Sequence, residues 1–243
     1  MNIVGQKLHQ ELNHKKVLLL GLGRQGGAKV ANRLAQLGAH VRVSDLQSAA
    51  ALADSVAELS PGIELHLGSH DPADVSWANL VVKNPAVPYS HPLIQAAEQQ
   101  NIPVTSETAL ALKYVRDRVI GVTGTRGKTT TTHLIWHILT QAGRAVRIGG
   151  NIPQQPTLET VLEANDEDWF VLELSSFQIE TLAREKLSPH IAVLTSLSPD
   201  HLNRYGTMEN YVTTKGYLFH WQHPQDAAFW IEQPEWQALL LKM

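Results

Sequence analysis

The stretch Arg118-Val-Ile-Gly-Val-Thr-Gly-Thr-Arg-Gly-Lys-Thr-Thr-Thr-Thr132 decides how the second half of this chain folds. Its first residues are rich in β-branched side chains, which suit a strand buried in a parallel sheet. Gly124 and Gly127 then allow a sharp turn and bring N–H groups close to an anion. The helix that follows opens at Lys128, so its unpaired N–H groups and the positive end of its dipole face the same point. The Lys128 ammonium and the hydroxyls of Thr129 and Thr130 complete a cradle for nucleotide phosphates and a magnesium ion. The expected cofactors are therefore ATP and Mg2+, held by Gly124, Thr125, Arg126, Gly127, Lys128, Thr129 and Thr130. Val122 stands where the long form G-x-x-x-x-G-K-[ST] has its first glycine, so the match is to the shorter G-x-x-G-K-T.

Upstream, apolar runs and amphipathic runs alternate. Strands are expected over 16–20, 40–44, 63–67, 77–82 and 102–105, and helices over 26–37, 48–59 and 91–100, with Ser106 as the N-cap of a further helix. Such alternation predicts an α/β fold with parallel sheets covered on both faces. Gly21-Leu-Gly-Arg-Gln-Gly26 fits G-x-G-x-x-G after an apolar strand, and Asp45 closes the next strand where a ribose-binding acid would sit. The first half therefore reads as Rossmann-like, with Gly23, Arg24, Gln25 and Asp45 as candidate substrate contacts. The loop offers a seat for a pyrophosphate or carboxylate; a dinucleotide, a sugar nucleotide, or mere packing of helix on strand all fit it. Charge density rises over 114–117, which places a boundary between domains 1–117 and 118–243. Further strands are expected over 145–148, 169–174, 191–195 and 227–231, and 235–242 reads as helix-like.

Composition narrows the function classes. The 243 residues carry 20 basic and 23 acidic side chains, a net charge of −3, so no global field recruits nucleic acid or an anionic membrane. No apolar run is long enough to span a bilayer, and the amino terminus lacks a signal-peptide pattern. With no cysteine in the chain, disulfides, thiolate catalysis and cysteine-based zinc sites are excluded. A cytoplasmic enzyme is the simplest fit.

Other candidates sit at strand ends. Glu173 closes the apolar run Trp-Phe-Val-Leu-Glu, at the carboxyl end where α/β sheets bind ligands, and beside a phosphate loop it would help hold magnesium. Asn151 follows Gly149-Gly150 and reads equally as a turn residue or a crevice residue. Asp200-His201 follows another apolar strand. Lys215 lies on a predicted helix and, taken alone, reads as a solvated lysine. His133 and His137 share a helical face without the glutamate of a zinc-protease pattern and read as helix-surface or partly buried residues.

Together Gly-Thr-Arg-Gly-Lys-Thr-Thr-Thr-Thr132, Gly150-Asn-Ile152, Leu172-Glu-Leu-Ser-Ser-Phe-Gln-Ile-Glu180, Asp200-His-Leu-Asn-Arg-Tyr205 and Lys215 resemble the Mur ligases. The string from Glu173 to Gln178 points to the D-glutamate-adding branch. The resemblance covers the chain from about residue 16 onward. It implies that Lys128, His201 and Lys215 are catalytic, and that Thr129 or Thr130 and Glu173 bind one magnesium while His201 binds a second. Lys215 matches the lysine this family carbamylates, which would make it an anionic oxygen ligand. Asn151 and Ser175 would contact substrate. The substrates implied are UDP-N-acetylmuramoyl-L-alanine, held by the first domain, and D-glutamate, joined by ATP-driven amide formation through an acyl phosphate in peptidoglycan synthesis. The family has three domains, so the central one is expected to be incomplete here and the carboxy-terminal, amino-acid-binding one absent, leaving this chain a partial or inactive form. A folylpolyglutamate-type ligase, a non-catalytic nucleotide-binding module and an NAD-dependent oxidoreductase are the competing readings.

Overall fold

A computed structural model describes residues 1–23 and 26–236 of the chain. The chain divides into two compact units, Met1–Leu110 and Ala111–Met243, against a sequence-based boundary at 117.

The first unit opens with a helix that the strand-helix alternation does not announce, α1 (Ile3–Leu12), capped by the Asn2 side chain. Val4, Leu8 and Leu12 recur every four residues and are all buried, so the signal was a short apolar stripe. There follow β1 (Lys16–Leu20), α2 (Gly27–Gln36), β2 (His40–Asp45), α3 (Ala53–Ala57), β3 (Glu64–Leu67), α4 (Ala73–Trp77), β4 (Leu80–Lys83), α5 (Pro92–Gln99) and β5 (Val104–Thr105). The strands form a five-stranded sheet in the order β3-β2-β1-β4-β5, and every pair is parallel. This is the doubly wound, Rossmann-like arrangement, in which the strand order reverses beside β1. Leu18, Leu20 and Val81 on the sheet pack against Ile94 and Ala97 of α5.

Two expected elements are corrected. The helix expected over 48–59 shrinks to α3, because Ser48 closes a turn, accepting from the N–H of Leu52 at its carbonyl and of Ala51 at its hydroxyl. Little apolar surface in that stretch faces the core to hold a longer helix; only Leu52 and Ser55 are buried between 48 and 59. The strand expected over 77–82 begins at Leu80, since Trp77 instead ends α4. Asp71 accepts from the Ala73 N–H at 2.8 Å in the turn that leads into that helix, whose N-cap is Pro72. Ser106 does cap the helix that follows, α6 (Glu107–Val115), accepting from Ala109 N–H at 3.2 Å.

After one 3-10 turn at Arg116–Arg118, the second unit contains β6 (Val119–Thr123), α7 (Lys128–Gln141), β7 (Val146–Gly150), α8 (Thr157–Leu162), β8 (Trp169–Glu173), α9 (Ser176–Arg184), β9 (Ile191–Leu194), α10 (Leu202–Tyr205), α11 (Met208–His220) and β10 (Ala227–Trp230). Its sheet is again five-stranded and parallel, in the order β10-β9-β6-β8-β7. The first strand, β6, is central and fully buried, and the chain runs first to one side of it and then to the other. Ile120, Val122 and Val171 pack against Trp136 and Leu139 of α7. At the amino end of this sheet the buried Asp226 accepts from His190 Nδ1 at 2.6 Å, from the His223 N–H at 2.7 Å and from Arg116. Burial opposes its ionisation, but these donors outweigh it and hold its carboxyl below the usual range. The segment expected to be helical over 235–242 lies, beyond Trp236, outside the described residues.

Candidate active site

In the second unit the carboxyl ends of β6, β7, β8 and β9 bring most of the candidate residues to one edge, the edge at which parallel α/β sheets bind ligands. The turn from β6 into α7 depends on glycine. Gly124 has φ +149°, and a Cβ there would strike the Thr195 hydroxyl and the Ser196 backbone; Gly127 has φ +81° at the N-cap of α7. The loop is braced from β9. Thr125 N–H donates to the Ser196 carbonyl at 2.8 Å and Arg126 N–H to the Ser196 hydroxyl at 3.0 Å, while the Thr195 hydroxyl lies 2.6 Å from the Arg126 carbonyl. Sequence reasoning missed these two hydroxyl residues, although polar residues placed directly after the apolar run ending at Leu194 were the available signal.

Two lysines converge on the loop. Lys128 Nζ donates to the carbonyls of Gly124 and Thr125, both at 3.0 Å. Lys215 Nζ donates to the same Gly124 carbonyl at 2.9 Å and lies 3.4 Å from Thr123 Oγ1. Far from being solvated, Lys215 is 1% exposed. Burial, with the Lys128 charge nearby, pushes its ammonium down to about 7, against the pull of Asp200 and Glu173.

Glu173, at the end of β8, is buried and accepts from two directions. The Thr129 hydroxyl donates to Oε2 at 2.6 Å and the Asn151 amide to Oε1 at 2.8 Å. The Asn151 N–H also donates to the Glu173 carbonyl at 2.8 Å, which ties the turn after β7 to the end of β8. Both threonines are exposed on α7, and Thr129 is the one whose hydroxyl meets Glu173. Ser175 is engaged in a capping box, its hydroxyl accepting from Gln178 N–H while Gln178 Oε1 accepts from the Ser175 N–H at 2.9 Å.

His201 sits in the left-handed region, φ +51°, as the N-cap of α10. Its ring centroid lies 4.8 Å from Phe177 and 6.4 Å from Tyr211, and its Nε2 is 3.6 Å from Asp200 Oδ2. Tyr211 is buried on α11 and its hydroxyl is 3.3 Å from Thr125 Oγ1; burial raises its ionisation above the usual phenol range. Tyr211 was another omission, and its spacing of four residues before Lys215 on one helical face was the signal. His133 and His137 are exposed on α7, as their surface reading requires.

In the first unit the glycine loop is held differently. Asp45 Oδ2 accepts from the N–H of Leu22 at 2.8 Å and of Gly23 at 3.1 Å, and its Oδ1 accepts from Gln47 N–H at 2.8 Å. Asp45 therefore anchors the loop at the position where a ribose-binding acid was expected. Asn84, at the end of β4, packs on the same loop, with its side chain close to Gly21 and Gly23. Arg24 and Gln25 lie outside the described residues.

A Rossmann-like unit followed by a phosphate-loop α/β unit with a buried lysine and glutamate at its ligand edge defines a class of nucleotide-using α/β proteins. The chain belongs to the Mur ligase family. The Mur ligase middle domain matches residues 122–243 and the Mur ligase MurD-like N-terminal domain matches residues 15–106. The UDP-N-acetylmuramoylalanine–D-glutamate ligase of Koribacter versatilis is 41% identical over 219 residues, 90% of this chain and 48% of that protein. The ligase of the same name from Streptococcus mutans is 41% identical over 208 residues, 85% of this chain and 45% of its own length. This chain thus spans about half the length of the curated relatives it matches. Among solved structures, the UDP-N-acetylmuramate:L-alanyl-gamma-D-glutamyl-meso-diaminopimelate ligase of Neisseria meningitides aligns with a TM-score of 0.63 at 20% identity, over 95% of this chain and 75% of that one. The UDP-N-acetylmuramate-alanine ligase of Thermotoga maritima aligns with a TM-score of 0.56 at 21% identity, over 93% and 51%. These structures share the fold. No helix among the described residues is long and apolar enough to cross a membrane.

Proposed function

We propose that residues 1–117 are the UDP-substrate-binding domain and 118–243 the ATP-binding part of a ligase that adds D-glutamate to UDP-N-acetylmuramoyl-L-alanine in the cytoplasm, as a step of peptidoglycan synthesis. The observation that carries this reading is the convergence of Lys128, Thr129, Asn151, Glu173 and Lys215 on the loop after β6. The D-glutamate preference rests on the names of the relatives at about 40% identity.

The chemistry is amide formation from a carboxylate, which is a poor electrophile at neutral pH. Phosphorylation of the alanyl carboxylate by ATP gives an acyl phosphate, which the D-glutamate amine attacks with release of phosphate. In this scheme the loop N–H groups and the dipole of α7 orient the phosphates, and Lys128 stabilises charge on the transferring phosphoryl group. Thr129 and Glu173 offer a hydroxyl and a carboxylate oxygen 2.6 Å apart, hard donors that fit magnesium. Among the described residues no cluster of three His, Asp or Glu side chains forms a metal cage, so the ion would complete its shell with water and phosphate oxygens. When bound, magnesium would neutralise charge on the β and γ phosphates. His201, and Lys215 as its carbamate, would serve a second ion, and Asn151 would hold Glu173 in place while facing the acceptor carboxylate.

The test uses the protein at its native length. ATP-dependent phosphate release with UDP-N-acetylmuramoyl-L-alanine and D-glutamate, lowered about 10²–10³-fold by Lys128→Ala, is the expected result. Release with another amino acid or with a folate acceptor would transfer the protein to a different ligase class, and no release with any acceptor would leave a nucleotide-binding module.

A further inference from the structure

His201 is carried by α10, a helix of four residues. One turn cannot stabilise itself in water, so something else must fix the ring. Among the described contacts, α10 is tied down at its far end. Arg204 donates to Glu180 through two nitrogens, Nε to Oε1 at 2.9 Å and Nη2 to Oε2 at 2.5 Å, and the Tyr205 hydroxyl donates to Glu180 Oε1 at 2.8 Å. The Arg204 guanidinium also lies 4.2 Å from the centre of the Phe177 ring, the ring that meets His201 at 4.8 Å. Glu180 therefore receives both polar side chains at the end of α10, and Phe177, one turn earlier on the same helix α9, closes over its beginning.

The location of α9 gives this clamp a functional direction. The helix starts at the Ser175 capping box, two residues after Glu173, so its position is set by the end of β8. We propose that Glu180 is a positioning residue: acting through Arg204, Tyr205 and Phe177, it fixes the His201 imidazole relative to Glu173 and the phosphate loop. This rests on the reading of His201 as a metal ligand given above. Glu180 touches neither substrate nor metal in it. A bidentate arginine-carboxylate pair is directional, so it sets orientation as well as distance. Partners of this kind behind a ligand change metal affinity by about 10–100-fold when removed.

The experiment follows the His201 ring by long-range proton–nitrogen NMR, with His201→Asn identifying its signal, in the wild-type chain, Glu180→Gln and Tyr205→Phe. Glu180→Gln keeps shape and removes the charge that holds the guanidinium; Tyr205→Phe removes a single hydroxyl and guards against a variant that does not fold. In Glu180→Gln the ring signal should move, because the Phe177 ring current acting on it changes, and Tyr205→Phe should move it in the same direction by less. Titration of Mn2+ with a non-hydrolysable ATP analogue should broaden the wild-type His201 signal, with Glu180→Gln needing about tenfold more Mn2+ while affinity for the analogue alone holds. An unmoved ring signal in both variants overturns the proposal. So does a Glu180→Gln protein that is unfolded while a folded Tyr205→Phe leaves the ring where it was. If the wild-type signal is not broadened at all, the metal role of His201 fails, and the ring shifts still decide whether Glu180 positions it.

Discussion

The two glycine loops occupy equivalent places: each follows a strand, β1 or β6, beside which the order of a five-stranded parallel sheet reverses. Their electrostatics are opposite. In the first unit two loop N–H groups point at the Asp45 carboxylate, so the loop already contains its anion. In the second unit the braces are neutral, the Ser196 carbonyl and hydroxyl, and two ammonium groups meet at the Gly124 carbonyl. The same backbone device thus serves two ends. A polyphosphate suits the second loop, whereas the first suits a ligand whose charge is placed elsewhere or supplied with its own counter-charge. Motif matching alone cannot separate them; the residue that the loop faces does.

The contrast breaks most sharply if the second loop loses its cation. Lys128→Ala should lower turnover of the native-length enzyme about 10²–10³-fold, the cost of removing one preorganised charge from a phosphoryl-transfer site. Affinity for the UDP-linked substrate should hold. Single-turnover phosphate release beside isothermal titration with the UDP-linked substrate checks both halves, and turnover that survives the substitution would remove the charge argument.

Lys215 sharpens the same contrast through pH. Its folded value of about 7 lies below the 10.5 of an ordinary lysine, so between those limits the unfolded chain binds more protons and stability rises with pH. Below pH 7 both states are protonated and the burial cost is fully present. Lys215→Met should therefore flatten the stability profile between pH 7 and 10 and stabilise the protein at neutral pH by about 2 kcal/mol, while abolishing turnover. Urea denaturation across that range measures it. An unchanged slope would show that the ammonium is better solvated than its 1% exposure indicates.

Much of this contrast was legible in the sequence, and the gaps have physical causes. Buried parallel strands were readable because β-branched runs such as Val119–Thr123 are apolar throughout. Short helices were the weak point: Ala73–Trp77, which follows an aspartate-proline pair, escaped, and the helix expected from Ser48 was drawn too long because that stretch lacks an apolar face. In the site, Lys128 and Thr129 were local to their motif. Glu173 was marked out by its place at a strand end, but Lys215 stood out only through resemblance, because its burial is decided by a partner 91 residues away, at Gly124. Asp45 was legible as an acid at a strand end, but its bonds to the Leu22 and Gly23 N–H groups were not, since which donors reach a carboxylate depends on how the neighbouring loop curls over it.

The bonds from the loop to Asp45 give the third prediction. Asp45→Asn should destabilise the first unit by about 1–2 kcal/mol, because two loop N–H groups lose a charged acceptor and keep a neutral one. The Michaelis constant for the UDP-linked substrate should rise while kcat changes little. Thermal unfolding with substrate-dependent kinetics tests this, and a fall in kcat without a change in the Michaelis constant would return Asp45 to a chemical role.

The smallest expected effect lies at the join between β7 and β8. Asn151→Ala would leave Glu173 Oε1 without its 2.8 Å donor in a buried place, a loss of about 1 kcal/mol. The Thr129 hydroxyl still holds Oε2, so the carboxylate should pivot rather than leave. If Glu173 holds magnesium, the pivot weakens the ion more than it weakens the fold: the Mg2+ concentration for half-maximal activity should rise by several-fold while the melting temperature moves by only a few degrees. Equal, small changes in both would reduce Asn151 to a turn residue and leave Thr129 as the partner that orients Glu173. In that outcome the asymmetry between the two glycine loops would rest on the lysines alone.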